Sequence, residues 1–342
     1  MHSVFNTNPP SFTIGEVDDV LYRHMRFQSH SDLKELYSDR DQNFLFSNNS
    51  KKYILKIFNH AEDISVIKLQ LDAVNYISNK NVSILLPNIK EGIVEICKDG
   101  KIFRAIVYEY IEGYFFYEKI SDEQQYQKLG KFIGKISSAL VGFQNSGSKR
   151  IFEWDIQNID LIYQRIKYID SRNDKYIVKH FLDEYEYNVI PNKHKLRMSI
   201  IHNDCNDHNI IVNEQKNLLG IIDFGDMVYS FQVLEPAVCM AYLALNKKDI
   251  KSVLFTFLKG YQSYFSLQKI EIKCIMYMVC IRLCITVTMA AWRKSIFPNN
   301  TYLTISESSA WATLKYLKNE NLNEWSNHLL KIHDQKKRPP KA

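Results

Sequence analysis

Apolar and polar residues alternate along two neighbouring stretches, "QNFLFSN" from Gln42 and "KKYILKIF" from Lys51, with the turn-like "SNNSKK" bridging them. A period of two predicts a half-buried hairpin. The pattern then changes to spacings of three and four at Ile64, Ile67, Leu71, Val74 and Ile77, which predicts a helix from Ile64 to Ser78. Alternation returns in "GIVEIC" and "KIFRAIVYEYI", joined at "KDGK", a second expected hairpin. From about Ser121 helical spacing prevails. "YQKLGKFIGKISSALVGF" is one amphipathic segment, and long helices are expected over 176–190, 232–264, 269–292 and 306–318. Two short apolar strands within 199–224 interrupt them. The division predicts an α+β chain of two lobes. A strand-rich lobe covers 1–110 with a hinge within 107–113, a mainly helical lobe covers 111–335, and 336–342 is a disordered basic tail. A cleft between such lobes is the first place to look for a ligand.

Composition narrows the class. A chain of 342 residues that is 46% hydrophobic and 24% charged suits folded lobes with their own cores. The net charge of +6 sits largely in the terminal "KKRPPKA", too diffuse for nucleic acid but compatible with a small polyanion. Cysteines at 97, 205, 239, 274, 280 and 284 make no CxxC pair and no zinc spacing. They are expected to be reduced, inert thiols of a cytoplasmic protein. "MHSVFNTNPPSF" lacks the charged and apolar regions of a signal peptide. The apolar run 274–291 is long enough to raise a membrane question, but Arg282 stands at its middle, which favours a core helix.

Two segments depart from the apolar rhythm. "IIHNDCNDHNII" crowds polar residues between isoleucine pairs, and "LLGIIDFGD" ends an apolar strand in carboxylates. The first reads as a loop that places Asp204 at its start and Asn209 five residues on; the second delivers Asp223. An amide oxygen and a carboxylate are hard ligands that suit Mg²⁺, which binds through one or two side chains plus substrate phosphates. Asp204 is then free to accept a proton from an attacking hydroxyl. That is the arrangement of phosphoryl transfer. His202 and His208 have no third soft ligand spaced to join them and read as loop histidines. Lys56 lies in a half-buried strand and needs an anionic partner, which phosphates would supply. Upstream, "YSDRDQNFLF" could cover those phosphates with backbone amides and with Ser38, Gln42 or Asn43; without glycine, it is neither a Walker loop nor a glycine-rich kinase loop. For Arg282, pairing with a carboxylate across the cleft and with a main-chain carbonyl are both open.

"HNDCNDHN" followed by "IDFGD" resembles the aminoglycoside phosphotransferase family, which shares the protein-kinase architecture and includes choline and homoserine kinases. "SDRDQNFLF", "FEWDI", "DFGDMVYS", "LEPAVCMAY" and "YLTISESSAW" resemble its hydroxylysine kinase branch. The resemblance implies a two-lobe kinase-like fold that binds ATP or GTP with Mg²⁺. Asp204 becomes the catalytic base, Asn209 and Asp223 the metal ligands, Lys56 the phosphate-pairing lysine and His202 a brace for the catalytic loop. "VYEYIEG" becomes the hinge, whose backbone between Glu109 and Ile111 meets the purine. Trp154, Asp155, Asp226 and Glu235 would receive a substrate ammonium. The implied acceptor is a small amino alcohol, 5-hydroxylysine-like by preference, with an aminoglycoside as the alternative. Two departures stand out. Asn203 replaces a glycine usual in the family, which ordinary backbone angles would allow. The helix after Lys56 lacks the usual glutamate, with Lys68 near its place, leaving Glu62, Asp63 or Asp72 as substitutes. If none reaches the lysine, the chain could be an inactive nucleotide-binding partner protein.

Overall fold

The computed structural model describes residues 4–336 apart from 81, 120, 121, 216, 299 and 301–304. Of the expected tail 336–342, Lys336 ends a helix and residues 337–342 lie outside the described residues.

Helix α1 (Ile14–Arg23) opens with a capping box in which Thr13 and Glu16 bond each other's backbone amides. Strands β1 (His30–Leu36), β2 (Gln42–Asn48) and β3 (Lys51–Phe58), helix α2 (Ile64–Ser78), and strands β4 (Ile89–Lys98) and β5 (Lys101–Glu109) follow. The strands form one antiparallel sheet in the order β1-β2-β3-β5-β4. Both expected hairpins are present. Asn49 and Ser50 turn the first with φ of 48° and 62°, and Asp99 and Gly100 turn the second with φ of 51° and 72°. Two successive left-handed residues match the twist of antiparallel strands. One face of the sheet buries Phe44, Phe46, Leu55 and Ile57 against Val17, Val20 and Leu21 of α1. Helix α2 covers the other, packing Ile67 on Phe58 and Ile106, while Leu69, Ala73, Val74 and Ile77 join the larger core.

That larger core belongs to the rest of the chain and also takes in Val4 and Phe5, so the amino-terminal segment crosses to the helical side. Strand β6 (Tyr114–Phe115) and helices α3 (Phe116–Lys119), α4 (Glu123–Ala139), α5 (Ile159–Arg165) and α6 (Arg172–Asn188) lead to the polar motifs. The two short strands expected within 199–224 are β7 (Met198–Ile201) and β9 (Leu218–Ile221), and they are joined by β8 (Ile210–Val212) between them and β10 (Val228–Phe231) beyond. β7 pairs with β10, and β8 pairs with β6 and β9. The expected long helix over 232–264 is instead α7 (Leu234–Leu243) and α8 (Ile250–Tyr261). Asn246 breaks it with φ of 59°, and Asp249 caps α8 through the Ser252 amide. A Cβ at Gly130 of α4 would lie 2.0 Å from the Phe257 carbonyl of α8, so these two helices meet backbone to backbone.

Helix α9 (Lys269–Ile296) is apolar all round, and 94% of its most hydrophobic stretch is buried among α5, α6, α7, α10 (Glu307–Leu317) and α11 (Leu322–Lys336). It is the core helix of this lobe. Arg282, at its middle, is 1% exposed.

Candidate active site

β7 runs out of the core into the loop 202–209, and its geometry answers the Asn203 departure. Asn203 has φ of 64°, so its backbone is left-handed rather than ordinary. This is the region glycine enters freely and asparagine enters more readily than other side chains. Asn203 is completely buried, and neither its Oδ1 nor its Nδ2 has a hydrogen-bond partner among the described residues. The turn is held from behind. Glu235, completely buried in the first turn of α7, accepts the His202 amide at 2.6 Å and the Asn203 amide at 3.3 Å.

His202 ties this loop to the segment carrying Asp223. The Asp204 amide donates to its Nδ1 (3.3 Å), so Nε2 carries the proton and donates to the Ile222 carbonyl (3.2 Å). Its ring meets Phe224 edge-on at 4.8 Å. Burial lowers the imidazole below its ordinary range, although Glu235 and Asp223 oppose that. The neutral form is the one this bonding needs.

Asp204 is gripped at both oxygens. Asn206 Nδ2 and Arg282 donate to Oδ1 at 2.9 Å and 3.3 Å, and Asn209 Nδ2 donates to Oδ2 at 2.8 Å. One fifth of the side chain remains open to the cleft. Burial first, then the charge of Asp226, pushes its carboxyl above the usual carboxylate range, with Arg282 opposing. Arg282 resolves its open assignment by doing both things expected of it. Besides Asp204 it donates to the Trp154 carbonyl at 2.7 Å and to the Tyr242 hydroxyl at 3.3 Å, and its guanidinium lies 4.7 Å from the Trp154 ring centroid.

Asp223 has φ of 57° and accepts the Gly225 amide at 3.3 Å, with 48% of its side chain exposed to the cleft. Burial would raise its carboxyl. Lys56, whose Nζ is 3.1 Å away, and Arg40 overcome this and hold it well below the usual range. The Ile222 amide donates to the Asn209 carbonyl at 3.0 Å, so the two motifs are joined by backbone. Asn209 donates its amide hydrogens to Asp204, which leaves its amide oxygen, with the Asp223 carboxylate, as a hard donor set. Among the described residues no three His, Cys, Asp or Glu side chains are grouped to hold a metal.

Lys56 does have a carboxylate partner, but not on α2. It is Asp41, 3.2 Å away and 6% exposed, from the loop before β2. Glu62 lies 3.8 Å from Arg150, Asp63 caps α2, and Asp72 accepts from Asn145. Burial would lower the Lys56 pKa, and Asp223 and Asp41 reverse that and raise it. Of the residues expected to cover phosphates, Asn43 is the direct cross-strand neighbour of Lys56 and so shares its face; its Oδ1 is buried with no partner among the described residues. Ser38 is half-buried in the loop. Gln42 turns away, because its amide bonds both backbone groups of Phe12 and the Glu35 carboxylate. At the hinge the Glu109 amide donates to the Asn88 carbonyl and the Tyr110 amide to the Lys52 carbonyl. The Ile111 amide has no protein acceptor among the described residues.

The substrate assignments fare differently. Trp154 is brought to the loop 202–209 by Arg282, which bonds both its carbonyl and Asp204. The three acids are engaged elsewhere. Asp226 is paired with Arg40 at 2.7 Å, and Glu235 faces backbone amides. Asp155, 3% exposed, accepts from Ser230 Oγ at 2.6 Å and from Gln157. Each is already ion-paired or hydrogen-bonded within the protein. Arg40, Asp41, Asn206 and Tyr242 also belong to this site, and all four stand inside the quoted motifs.

The profile of the phosphotransferase enzyme family matches residues 32–262. Hydroxylysine kinase of Danio rerio is 25% identical over 87% of this chain and 89% of its own. Hydroxylysine kinase of Mus musculus is 24% identical over 90% of each. Among solved structures, a microcompartment-associated aminopropanol kinase superposes with a TM-score of 0.72 at 13% identity, covering 94% of this chain and 98% of that one. An amicoumacin kinase in complex with AMP-PNP and Ca²⁺ superposes with a TM-score of 0.68 at 16% identity, covering 91% and 99%. The chain therefore belongs to the phosphotransferase enzyme family and has its two-lobe kinase-like fold, with the loop 202–209, Asp223 and the buried Lys56 brought together between the lobes.

Proposed function

We propose that the protein is a small-molecule kinase that moves the γ-phosphoryl group of ATP or GTP onto a hydroxyl of a small amino alcohol, with 5-hydroxylysine the favoured acceptor. The observation that carries this reading is the grip on Asp204. A carboxylate fixed by Asn206, Asn209 and Arg282, and still one fifth exposed, supports a role as general base. The acceptor hydroxyl hydrogen-bonds to Asp204, its oxygen attacks the γ-phosphorus, and its proton passes to the carboxylate as the nucleoside diphosphate leaves. Lys56 holds the phosphates by charge, and Asn43 can add a hydrogen bond from the same face. The Ile111 amide and the neighbouring hinge backbone receive the purine. Asn209 and Asp223 would hold Mg²⁺, which when bound supplies positive charge against the phosphate oxygens. The acceptor is chosen from the names of the sequence relatives, which cover nearly the whole chain. A cytoplasmic location is part of the same reading, supported by free cysteines, five of them buried.

Two features favour the inactive, nucleotide-binding alternative: a missing partner for Lys56 and the absence of a glycine-rich loop. Asp41 removes the first of these. The test is a phosphate-transfer screen with purified protein, Mg²⁺ and ATP or GTP against hydroxylysine, homoserine, choline, ethanolamine and kanamycin, with Asp204→Ala alongside. Turnover stimulated by one acceptor and lost in Asp204→Ala supports the kinase and names its substrate. Nucleotide binding without any transfer favours the inactive reading.

A further inference from the structure

Three consecutive charged residues precede β2, and each reaches a different element. Asp39 pairs with Arg293 near the end of α9. Arg40 pairs with Asp226, just beyond Asp223 and Gly225. Asp41 pairs with Lys56 on β3 and accepts the Asn59 amide at 3.0 Å. Asn59 in turn donates to the Arg40 carbonyl at 3.2 Å, which locks the peptide between the second and third charges. The guanidiniums of Arg40 and Arg293 both lie 5.4 Å from the Phe5 ring centroid, and Arg40 also lies 5.7 Å from that of Phe152. A Cβ on Gly225 would come within 2.5 Å of an Arg40 nitrogen, so the approach of Arg40 depends on that glycine.

Phosphoryl transfer needs a cation fixed over the phosphates and a cover that keeps the two lobes in register. This chain lacks a glycine-rich loop, and no acidic side chain at the start of α2 or along it is paired with Lys56. We propose that Asp39, Arg40 and Asp41 form a positioning clamp that serves both needs. Asp41 sets Lys56, while Arg40 and Asp39 anchor the same loop to the helical lobe beside Asp223. Lys56 then faces Asp223 at a distance fixed from both sides. The inference rests on reading the cleft as a phosphotransfer site. It adds that the lysine is positioned by the loop rather than by the helix.

The test compares Asp41→Asn, Asp39→Asn and Glu62→Gln in the full chain, with the exposed Asp72→Asn of α2 as control. Steady-state kinetics, ATP binding, adenosine binding and thermal unfolding are measured for each. The clamp predicts that Asp41→Asn lowers kcat by on the order of a hundredfold. It also predicts roughly tenfold weaker ATP binding, about what loss of one well-placed charge contact costs. Adenosine, which has no phosphates, should bind Asp41→Asn as it binds wild type. Asp39→Asn, at a carboxylate 32% exposed, should show a smaller loss of the same kind and covers the case in which Asp41→Asn does not fold. A purely structural role would lower the unfolding temperature and leave the ratio of ATP to adenosine affinity intact. That result, or a wild-type kcat in Asp41→Asn, or the loss appearing in Glu62→Gln instead, overturns the clamp. If wild type transfers phosphate to no acceptor, the phosphotransfer reading fails, while the ATP-to-adenosine ratio still decides the clamp.

Discussion

Substituting Asn203 by glycine should leave the protein at least as stable as wild type, and alanine should not do as well. Asn203 combines a left-handed backbone with a completely buried amide whose two polar atoms have no partner among the described residues. Burying an amide without hydrogen bonds costs about 1–3 kcal/mol, and either substitution removes that cost. The volume lost adds back about 1 kcal/mol as a cavity in both variants. The backbone distinguishes them. Alanine at φ of 64° carries roughly 1–2 kcal/mol of left-handed strain. Glycine carries none of it and loses about 0.5–1 kcal/mol to the greater freedom of the unfolded chain. Glycine should therefore exceed alanine by about 1 kcal/mol and fall at or slightly above wild type. The assay is the midpoint of thermal unfolding, where 1 kcal/mol moves a long chain by about 2 °C. An alanine variant as stable as the glycine variant would refute the backbone argument. A glycine variant several degrees below wild type would refute the claim that the buried amide is a burden.

Three further outcomes follow from the same loop. Arg282→Met leaves Asp204 without its cation and should destabilise the fold by about 3–5 kcal/mol while lowering kcat at temperatures where the variant is folded; unchanged kcat would separate Arg282 from the positioning of Asp204. Glu235→Gln presents an amide where two N–H groups need acceptors, at a cost of about 2–3 kcal/mol, and a variant with wild-type unfolding would remove Glu235 as the brace of the loop. His202 sits below its ordinary pKa when folded, so the unfolded chain takes up the proton first as pH falls through about 6.5. Its contribution is present above that pH and is lost below it; His202→Gln should therefore show a shallower fall in unfolding temperature between pH 7.5 and 5.5 than wild type, and parallel pH profiles would contradict the assignment.

The elements easiest to read were those with a clean local rhythm. The hairpin of β2 and β3, the helix α2 and the pairing of β4 with β5 follow from periodicity plus turn residues such as "DG". The single expected helix over 232–264 failed because apolar spacing runs on through Asn246, and what stops the helix is one left-handed residue and a cap. Strands β8 and β10 are too short to carry a period. That Asp204, Asn209 and Asp223 come together is legible because the spacing within two short loops sets it. The partners of charged groups are not. Asp226 looked available to a ligand in the sequence, and only the folded chain brings Arg40 to it. Asp41 stood in a quoted motif, but its role depends on a sheet that places Lys56 beside it. Glu235 was expected at the start of a helix and is there, facing inward to amides rather than outward to a substrate.

The most direct test of the whole account is phosphorus NMR on a reaction of purified protein with ATP, Mg²⁺ and 5-hydroxylysine, run in parallel with Asp204→Asn. The account predicts a phosphomonoester on the hydroxyl oxygen in wild type. In Asp204→Asn the rate should fall by about 10²–10⁴-fold with nucleotide affinity retained, the range a positioned general base supplies. A phosphoramidate on the amine, or an Asp204→Asn variant that turns over at the wild-type rate, would contradict it.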